Sequence, residues 1–456
     1  MTGVASDQMP AEPAEAEAPE ESDFSARKMI ICLACLLGST FVPFVQATTG
    51  PFMMLPMIRN FGWTRTDYAF ASTFMFVFGS ITALVFGRVA DRVGVRPILL
   101  AGAICGGATM ILLSFQNAEL WRLYGTYALL GTFGSSGVGY TKVIGSLFTR
   151  HRGKALALFG AESTVALAIL PVLTSTLISH FGWRGAYVAF GLIMFCVVPI
   201  IYFMIPEPGA RSPRRSPRPA AHAPSGQAPV LEGMTAAQVW RDRTFWMIVL
   251  TAVLIGGLYQ GLITHIVAAI VDKGFTAAAA AGAMSASTLF GLAGAFAGGF
   301  ALDHFRGPRV LSLFAGLLAV GVLLLRLVSV SSGGFALLIV ATALQGAAIA
   351  AMRPGLTYLL TRYFGLRAFG EANAIQVVFS GLAMAASPPL FGIIFDRTGS
   401  YAPMYWILAA GAAAAAAAYM LLGPYHYGTG GAPASAGPAG AGGAGAEALP
   451  AAPAPS

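Results

Sequence analysis

Apolar stretches of about twenty residues or more recur along this chain of 456 residues. A stretch of that length in lipid has one way to satisfy its own backbone polar groups, a helix long enough to cross the hydrocarbon core. Twelve such spans are predicted. The first six lie near 29–54, 67–88, 97–116, 121–148, 155–179 and 185–205, the last six near 245–271, 277–302, 308–330, 334–361, 370–395 and 401–422. Composition agrees, because 56% of residues are hydrophobic and 10% charged, against roughly 25% charged in a soluble domain. The bilayer is the main solvent of this chain.

The spans fall into two related sets. GRVADRVGVRP, Gly87 to Pro97, has a counterpart in GFALDHFRGPR, Gly299 to Arg309. Gly87 and Gly299, and Asp91 and Asp303, are each 212 residues apart, as are Gly62-Trp63-Thr64 and Gly274-Phe275-Thr276. The chain is therefore read as a duplication, two six-helix bundles at 29–206 and 245–422. Each copy of the motif is a short polar turn between two membrane helices, in which glycine permits close approach and Asp91 can meet a helix N-terminus or an arginine.

Outside the bundles the composition changes. Residues 1–28 read as a disordered acidic tail holding seven of the nineteen acids, 207–244 as a linker rich in Pro, Ser and Arg, and 423–456 as a Gly/Ala/Pro tail. Counting Lys and Arg in alternate loops gives eighteen on the side of the termini and seven on the other. The positive-inside rule then puts both termini in the cytoplasm of a multi-pass inner-membrane protein. The net charge of +8 sits in short loops rather than on one face, which argues against nucleic acid as a partner. Cys32, Cys35, Cys105 and Cys196 all lie in apolar runs and read as small buried hydrophobes. No metal set, cofactor motif, ATP-binding loop or nucleophile with a base is found, so an enzyme is not expected.

With these residues in view, the chain resembles the major facilitator superfamily, whose loop between helices 2 and 3 has the G-x-x-x-D-R-x-G-x-R form of Gly87 to Arg96. The second copy departs from it, with His304 in place of Arg92 and its glycine one place later. Gly62-Trp63-Thr64-Arg65, the run from Phe148 to Ala157, Gly182-Trp183-Arg184 and Asp396-Arg397-Thr398-Gly399 are similar to the monocarboxylate transporter and oxalate:formate antiporter group. The resemblance implies two pseudo-symmetric bundles that rock about a central site, with Gly87, Arg88, Asp91, Arg92 and Arg96 holding the cytoplasmic face closed and Asp303 as a weaker counterpart. It also implies charged residues in helix 8 and a lysine in helix 11. Here Ala277 to Leu302 carries no charge until Asp303, and helix 11 offers Asn373 and Gln376.

Ionisable groups at membrane depth are costly and so become functional candidates. Arg353 lies roughly 16 Å deep, eleven residues from the cytoplasmic end of its span, and is followed by Pro354, where a helix tends to open. Its fork can hold a carboxylate bidentately, or else it serves backbone carbonyls between helices. Lys142 and Glu162 are expected to meet across the hairpin of spans four and five, either as a static pair or with Glu162 as the acceptor of a coupling proton. Tyr259, Gln260 and His265 in the seventh span, and Gln46 and Thr49 in the first, can supply hydrogen bonds at the interface between halves. His265 is open to two readings, a structural histidine or a relay. The function expected is secondary transport of a small mono- or dicarboxylate by alternating access, with a proton or counter-anion as coupling partner. The alternatives are efflux of a drug-like or other metabolite, and a non-transporting receptor on the same scaffold.

Overall fold

The computed structural model describes residues 25–147, 162–205, 233–305 and 307–427. Among them the backbone is helical apart from short turns and one isolated bridge between Gly233 and Gly365. The first half comprises α1 (Ala26–Phe41), α2 (Phe44–Phe61), α3 (Arg65–Val93), α4 (Arg96–Ser114), α5 (Leu120–Gly134), α6 (Val138–Leu147) and α7 (Glu162–Met204). The second comprises α8 (Ala236–Arg241), α9 (Arg243–Ala252), α10 (Leu258–Asp272), α11 (Ala277–His304), α12 (Val310–Leu327), α13 (Gly334–Phe364), α14 (Phe369–Thr398) and α15 (Ala402–Leu421).

Nine described stretches are long and apolar enough to cross a membrane. One of the nine, within α7, is two expected spans run together, with Gly182 at φ 67° turning the chain between them. The first and fourth expected spans are each divided. α1 and α2 part at Val42 and Pro43, and a 3-10 turn, Ser135–Gly137, separates α5 from α6. With these resolved, described helix is present in each of the twelve expected spans, the fifth from Glu162 on.

The first span of each half breaks at the same point of the repeat. Pro43 lacks an N–H and its ring crowds the carbonyl four residues back, so the helix cannot run through it unchanged. Ile255, 212 residues later, lies inside the π-helical turn Val253–Gly257 that joins α9 to α10. That turn is anchored by Ser387, whose hydroxyl donates to the Gly257 carbonyl at 2.6 Å. The repeated Gly-x-Thr also has a structural cause. Gly62 and Gly274 end their helices at φ 72° and 92°, a region costly for other residues. Thr64 and Thr276 then start the next helices by accepting from the backbone N–H groups of Asp67 and Ala279 at 3.0 and 3.1 Å.

Small residues bring the long helices together. Gly131 of α5 lies so close to the Met75 carbonyl of α3 that a Cβ would not fit, and Gly346 of α13 lies likewise on the Ser287 carbonyl of α11. These contacts are copies of each other and fix the repeat register inside the bundles. Between the halves, α3 packs on α14, α7 on α11 and α2 on α10. The buried residues of α3 are Tyr68, Ala69, Ala71 and Ser72 near its start, then none before Ala90. The halves therefore close on each other at the Arg65 end and part toward the end carrying the motif loops, where Ile81, Leu84 and Val85 of α3 are exposed.

Two expected boundaries move. The end of the linker is structured, since α8 forms and the Met234 N–H donates to the Phe364 carbonyl at 2.9 Å. Residues 423–427, expected to begin a tail, fold back onto α13. The Arg362 carbonyl accepts from His426 and Tyr427, and Tyr425 packs on Tyr363 with ring centroids 5.4 Å apart. Glycine and proline gave the segment a tail-like composition, but its aromatic rings hold it down.

Candidate functional site

Arg353 stands midway along α13 and is exposed, although its helix neighbours Ala351, Met352 and Gly355 are buried. Tyr259 of α10 is near enough to feel the Arg353 charge, and Ser287 of α11 lies near its hydroxyl. The π-helical turn just before Leu258 sets the rotation of α10 and hence the direction of Tyr259. Gln260 beside it is half-buried. A cation with a fork of donors on α13 and a phenol on α10 can hold a carboxylate by charge, bidentate geometry and a third hydrogen bond.

The other expected site residues fall elsewhere. The Lys142 ammonium donates to the Gly87 carbonyl at 2.7 Å and to Asp91 Oδ1 at 3.1 Å. Lys142 is thus drawn to the motif loop, because Asp91 lies at the end of α3 beside α6. The side chains of Glu162, Gln46 and Asp303 lie outside the described residues, as does the run from Phe148 to Ala157. Thr49 is fully buried. His265 is also fully buried and bonded on both ring nitrogens, to the Pro388 carbonyl at 3.0 Å and to the Tyr401 hydroxyl at 3.2 Å. It faces away from Arg353, into the contact among α10, α14 and α15.

The motif loop is bonded within its own half. Arg96 donates from Nε and Nη2 to the Ile205 carbonyl at 2.9 and 2.7 Å, capping the end of α7, while Arg88 and Arg92 are exposed. Together with Lys142 on Asp91, this ties α3 and α4 to α6 and α7 as one body.

A second cluster, not anticipated from the sequence, joins the two halves at the opposite end. Arg65, at the start of α3, forms an ion pair with Asp272 at 2.7 Å, donates to the Tyr401 hydroxyl, and stacks over the Phe395 ring at 3.7 Å. Asp396, at the end of α14, accepts from the backbone N–H groups of Arg65 and Thr66 at 3.2 and 2.9 Å and from the Thr66 hydroxyl at 2.5 Å. The carboxylate thereby caps the N-terminus of α3, where the helix dipole favours it. The Arg65 side chain is 12% exposed and that of Asp272 32%. Lys273, next in the chain, turns away to the Arg326 and Val328 carbonyls, both at 3.0 Å. Burial, with the Arg326 charge, lowers its pKa.

In the sequence Arg65 and Asp396 stand in separate runs that resemble the transporter group, and nothing local pairs them with each other or with Asp272. The clue available was opposite charge at the ends of spans two, seven and eleven, but which ends meet depends on how the bundles pack. Ser287 stands with Ser285 and Thr288 in an Ala/Gly-rich helix, where hydroxyls read as packing.

The model of the Major Facilitator Superfamily matches residues 35–332 and 272–451. Monocarboxylate transporter 11 of Homo sapiens is 26% identical over 361 residues, covering 76% of this chain and 72% of that protein. Monocarboxylate transporter 3 of Rattus norvegicus is 29% identical over 361 residues, covering 76% and 70%. Among solved structures, a bacterial homolog of the human lysosomal transporter Spinster, in an inward-facing and occupied conformation, superposes with a TM-score of 0.66 at 16% identity, covering 87% of this chain and 97% of that one. The D-xylose-proton symporter gives a TM-score of 0.66 at 16% identity over 86% and 97%.

Proposed function

Because the chain belongs to the major facilitator superfamily, whose members are multi-pass membrane transporters rather than enzymes, we propose that it carries a small organic anion across the cytoplasmic membrane. The observation that carries this reading is Arg353, a cation exposed halfway along a membrane helix with Tyr259 and Ser287 beside it. A charge there is costly unless it meets a counter-charge, and a carboxylate supplies one. The similarity to monocarboxylate transporters points to the same substrate class. The closed Arg65 end and the parted motif end correspond to an inward-facing state if the termini are cytoplasmic, as the distribution of Lys and Arg indicates. In this reading Arg65, Asp272 and Asp396 form the outer latch, and the motif loop with Lys142 braces the first half as it rocks. A proton or a counter-anion couples the movement.

The test is thermal stabilisation of the purified protein by a panel of small carboxylates, run in parallel on Arg353→Gln. A ligand that binds only the folded state, at a hundred times its Kd, adds about 2.7 kcal/mol. Stabilisation by a subset of acids that disappears in the variant is expected. A wild type that ignores every acid but answers to neutral or cationic solutes rules the anion reading out.

A further inference from the structure

Arg362, in the last turn of α13, carries a charge that the protein leaves partly unanswered. Its Nε and Nη1 are buried and, among the described residues, meet no hydrogen-bond acceptor. The guanidinium carbon stands over the Tyr425 ring at 4.9 Å and over the Tyr358 ring at 5.6 Å. Aromatic faces attract the charge, but they do not accept the in-plane N–H groups as an oxygen lone pair does. The hydroxyl of Tyr425 is a second buried group without a partner, on a residue that is 9% exposed. A buried donor left unpaired costs its desolvation, and a charged one costs more. Two such groups on adjoining side chains define a place where an oxyanion is favoured.

The segment after α15 builds this place. The Tyr363 hydroxyl donates to the Gly423 carbonyl at 2.5 Å, and the Arg362 carbonyl accepts from the backbone N–H groups of His426 and Tyr427 at 3.2 and 3.0 Å. These bonds hold Tyr425 against α13. Tyr358 reaches the other way, its hydroxyl donating to the Leu302 carbonyl near the end of α11 at 3.4 Å. The group is separate from the central site. Arg362 lies nine residues after Arg353 in one continuous helix, about two and a half turns on, so the two arginines leave α13 on opposite faces and roughly 13 Å apart along its axis.

We propose that Arg362 and Tyr425 form a binding site for a phosphate oxyanion. Phosphate fits the donors, because its oxygens can take the edges of the guanidinium while another accepts from the phenol. The position favours the phosphodiester of an anionic phospholipid over free phosphate. The site lies at a helix end among Tyr358, Tyr363 and Tyr425, and tyrosine concentrates at the membrane interface. It is on the side of the motif loops, the cytoplasmic side in the orientation proposed above, where basic pockets between helices favour anionic headgroups. At the two helix ends joined to this group, Met420 and Leu421 of α15 and Phe300 of α11 are exposed, as is Phe305 just beyond α11. They give acyl chains an apolar surface beside the phosphate. The site is independent of the carboxylate reading of Arg353.

The experiment titrates the full-length protein in detergent with dioctanoyl phosphatidylglycerol below its micellar concentration and, in a parallel arm, with inorganic phosphate. Native mass spectrometry reads the bound fraction, and the thermal midpoint reads stabilisation. Arg362→Gln is expected to weaken phosphatidylglycerol binding by about tenfold or more. Tyr425→Phe keeps the ring over the guanidinium and removes only the hydroxyl, so a loss of about fivefold is expected, and this variant decides the matter if Arg362→Gln does not fold. Arg367→Gln, at an exposed arginine nearby in the chain, is expected to change the Kd by no more than about twofold. Equal losses at Arg362 and Arg367 would report general attraction to a basic surface and overturn the site. A Kd unmoved in both Arg362→Gln and Tyr425→Phe overturns it as well. Inorganic phosphate that raises the midpoint with the same dependence on Arg362, while the lipid shows none, keeps the phosphate site and rules out its lipid source.

Discussion

Arg65 holds the halves together through groups on three segments of the other half, the Asp272 carboxylate, the Asp396 carboxylate through its backbone N–H, and the Tyr401 hydroxyl. Hydrogen bonds to charged groups contribute about 1.5–3 kcal/mol each, and partial burial limits screening by salt. Arg65→Ala is therefore expected to shift the equilibrium toward opening at this end by roughly tenfold to a hundredfold, since 1.4 kcal/mol is a factor of ten. Distances between spin labels at the start of α3 and the end of α14 would read the shift, and a distribution unchanged from wild type would dismiss the latch. Arg65→Lys is expected to restore only part of the closed population, because an ammonium cannot reach Asp272 and Tyr401 with one planar fork. In the proposed reading the same residue type does different work at Arg353, which is exposed and holds a solute.

Among the helices, the closest approaches are those of α3 with α5 and of α11 with α13. Gly294 and Gly298 on α11 leave no room for a Cβ against Ala347 and Ala351 on α13, so backbone meets backbone there. Gly294→Leu must push the pair apart or force off-rotamer side chains, which costs about 1–3 kcal/mol. A lower thermal midpoint is expected, with weaker carboxylate binding, since α11 and α13 carry Ser287 and Arg353. An unchanged midpoint would mean that the helices are not in this contact. The breaks at Pro43 and at Val253–Gly257 act at the same scale. They let the inner helices of each half turn polar or apolar side chains toward the shared axis, which a straight helix of the same sequence would direct elsewhere.

At the scale of the molecule, the halves act as two bodies that meet at the Arg65 end along α3 and α14, and beside it along α7 and α11. Thr73 of α3 donates to the Ala385 carbonyl of α14 at 2.6 Å, and Ser285 of α11 to the Ala168 carbonyl of α7 at 2.7 Å. If transport requires these surfaces to separate, a crosslink between cysteines placed at Thr73 and Ala385 is expected to stop flux in proteoliposomes, and cleaving the crosslink to restore it. Flux that continues at full rate through the crosslinked protein would exclude rocking about the central site. The duplication makes the two bodies alike in path but not in chemistry, with Arg353 seven residues after Gly346 where Val138 stands seven after Gly131.

The sequence by itself determined the all-helical membrane fold, the approximate limits of the described spans, the repeat at 212 residues and the family. All of these depend on local quantities, namely apolar length and the period and form of the motif. The sequence also explained the Gly-x-Thr turns, since left-handed glycine and a threonine cap act within a few residues. Only the tertiary structure decided which charges meet. It drew Lys142 to Asp91, carried His265 into a helix contact, and brought Arg65 against Asp272 and Asp396 across more than 200 residues of chain. Contacts of that kind depend on the rotation and packing of whole helices, and a π-turn or a glycine pair changes both without leaving a period in the sequence.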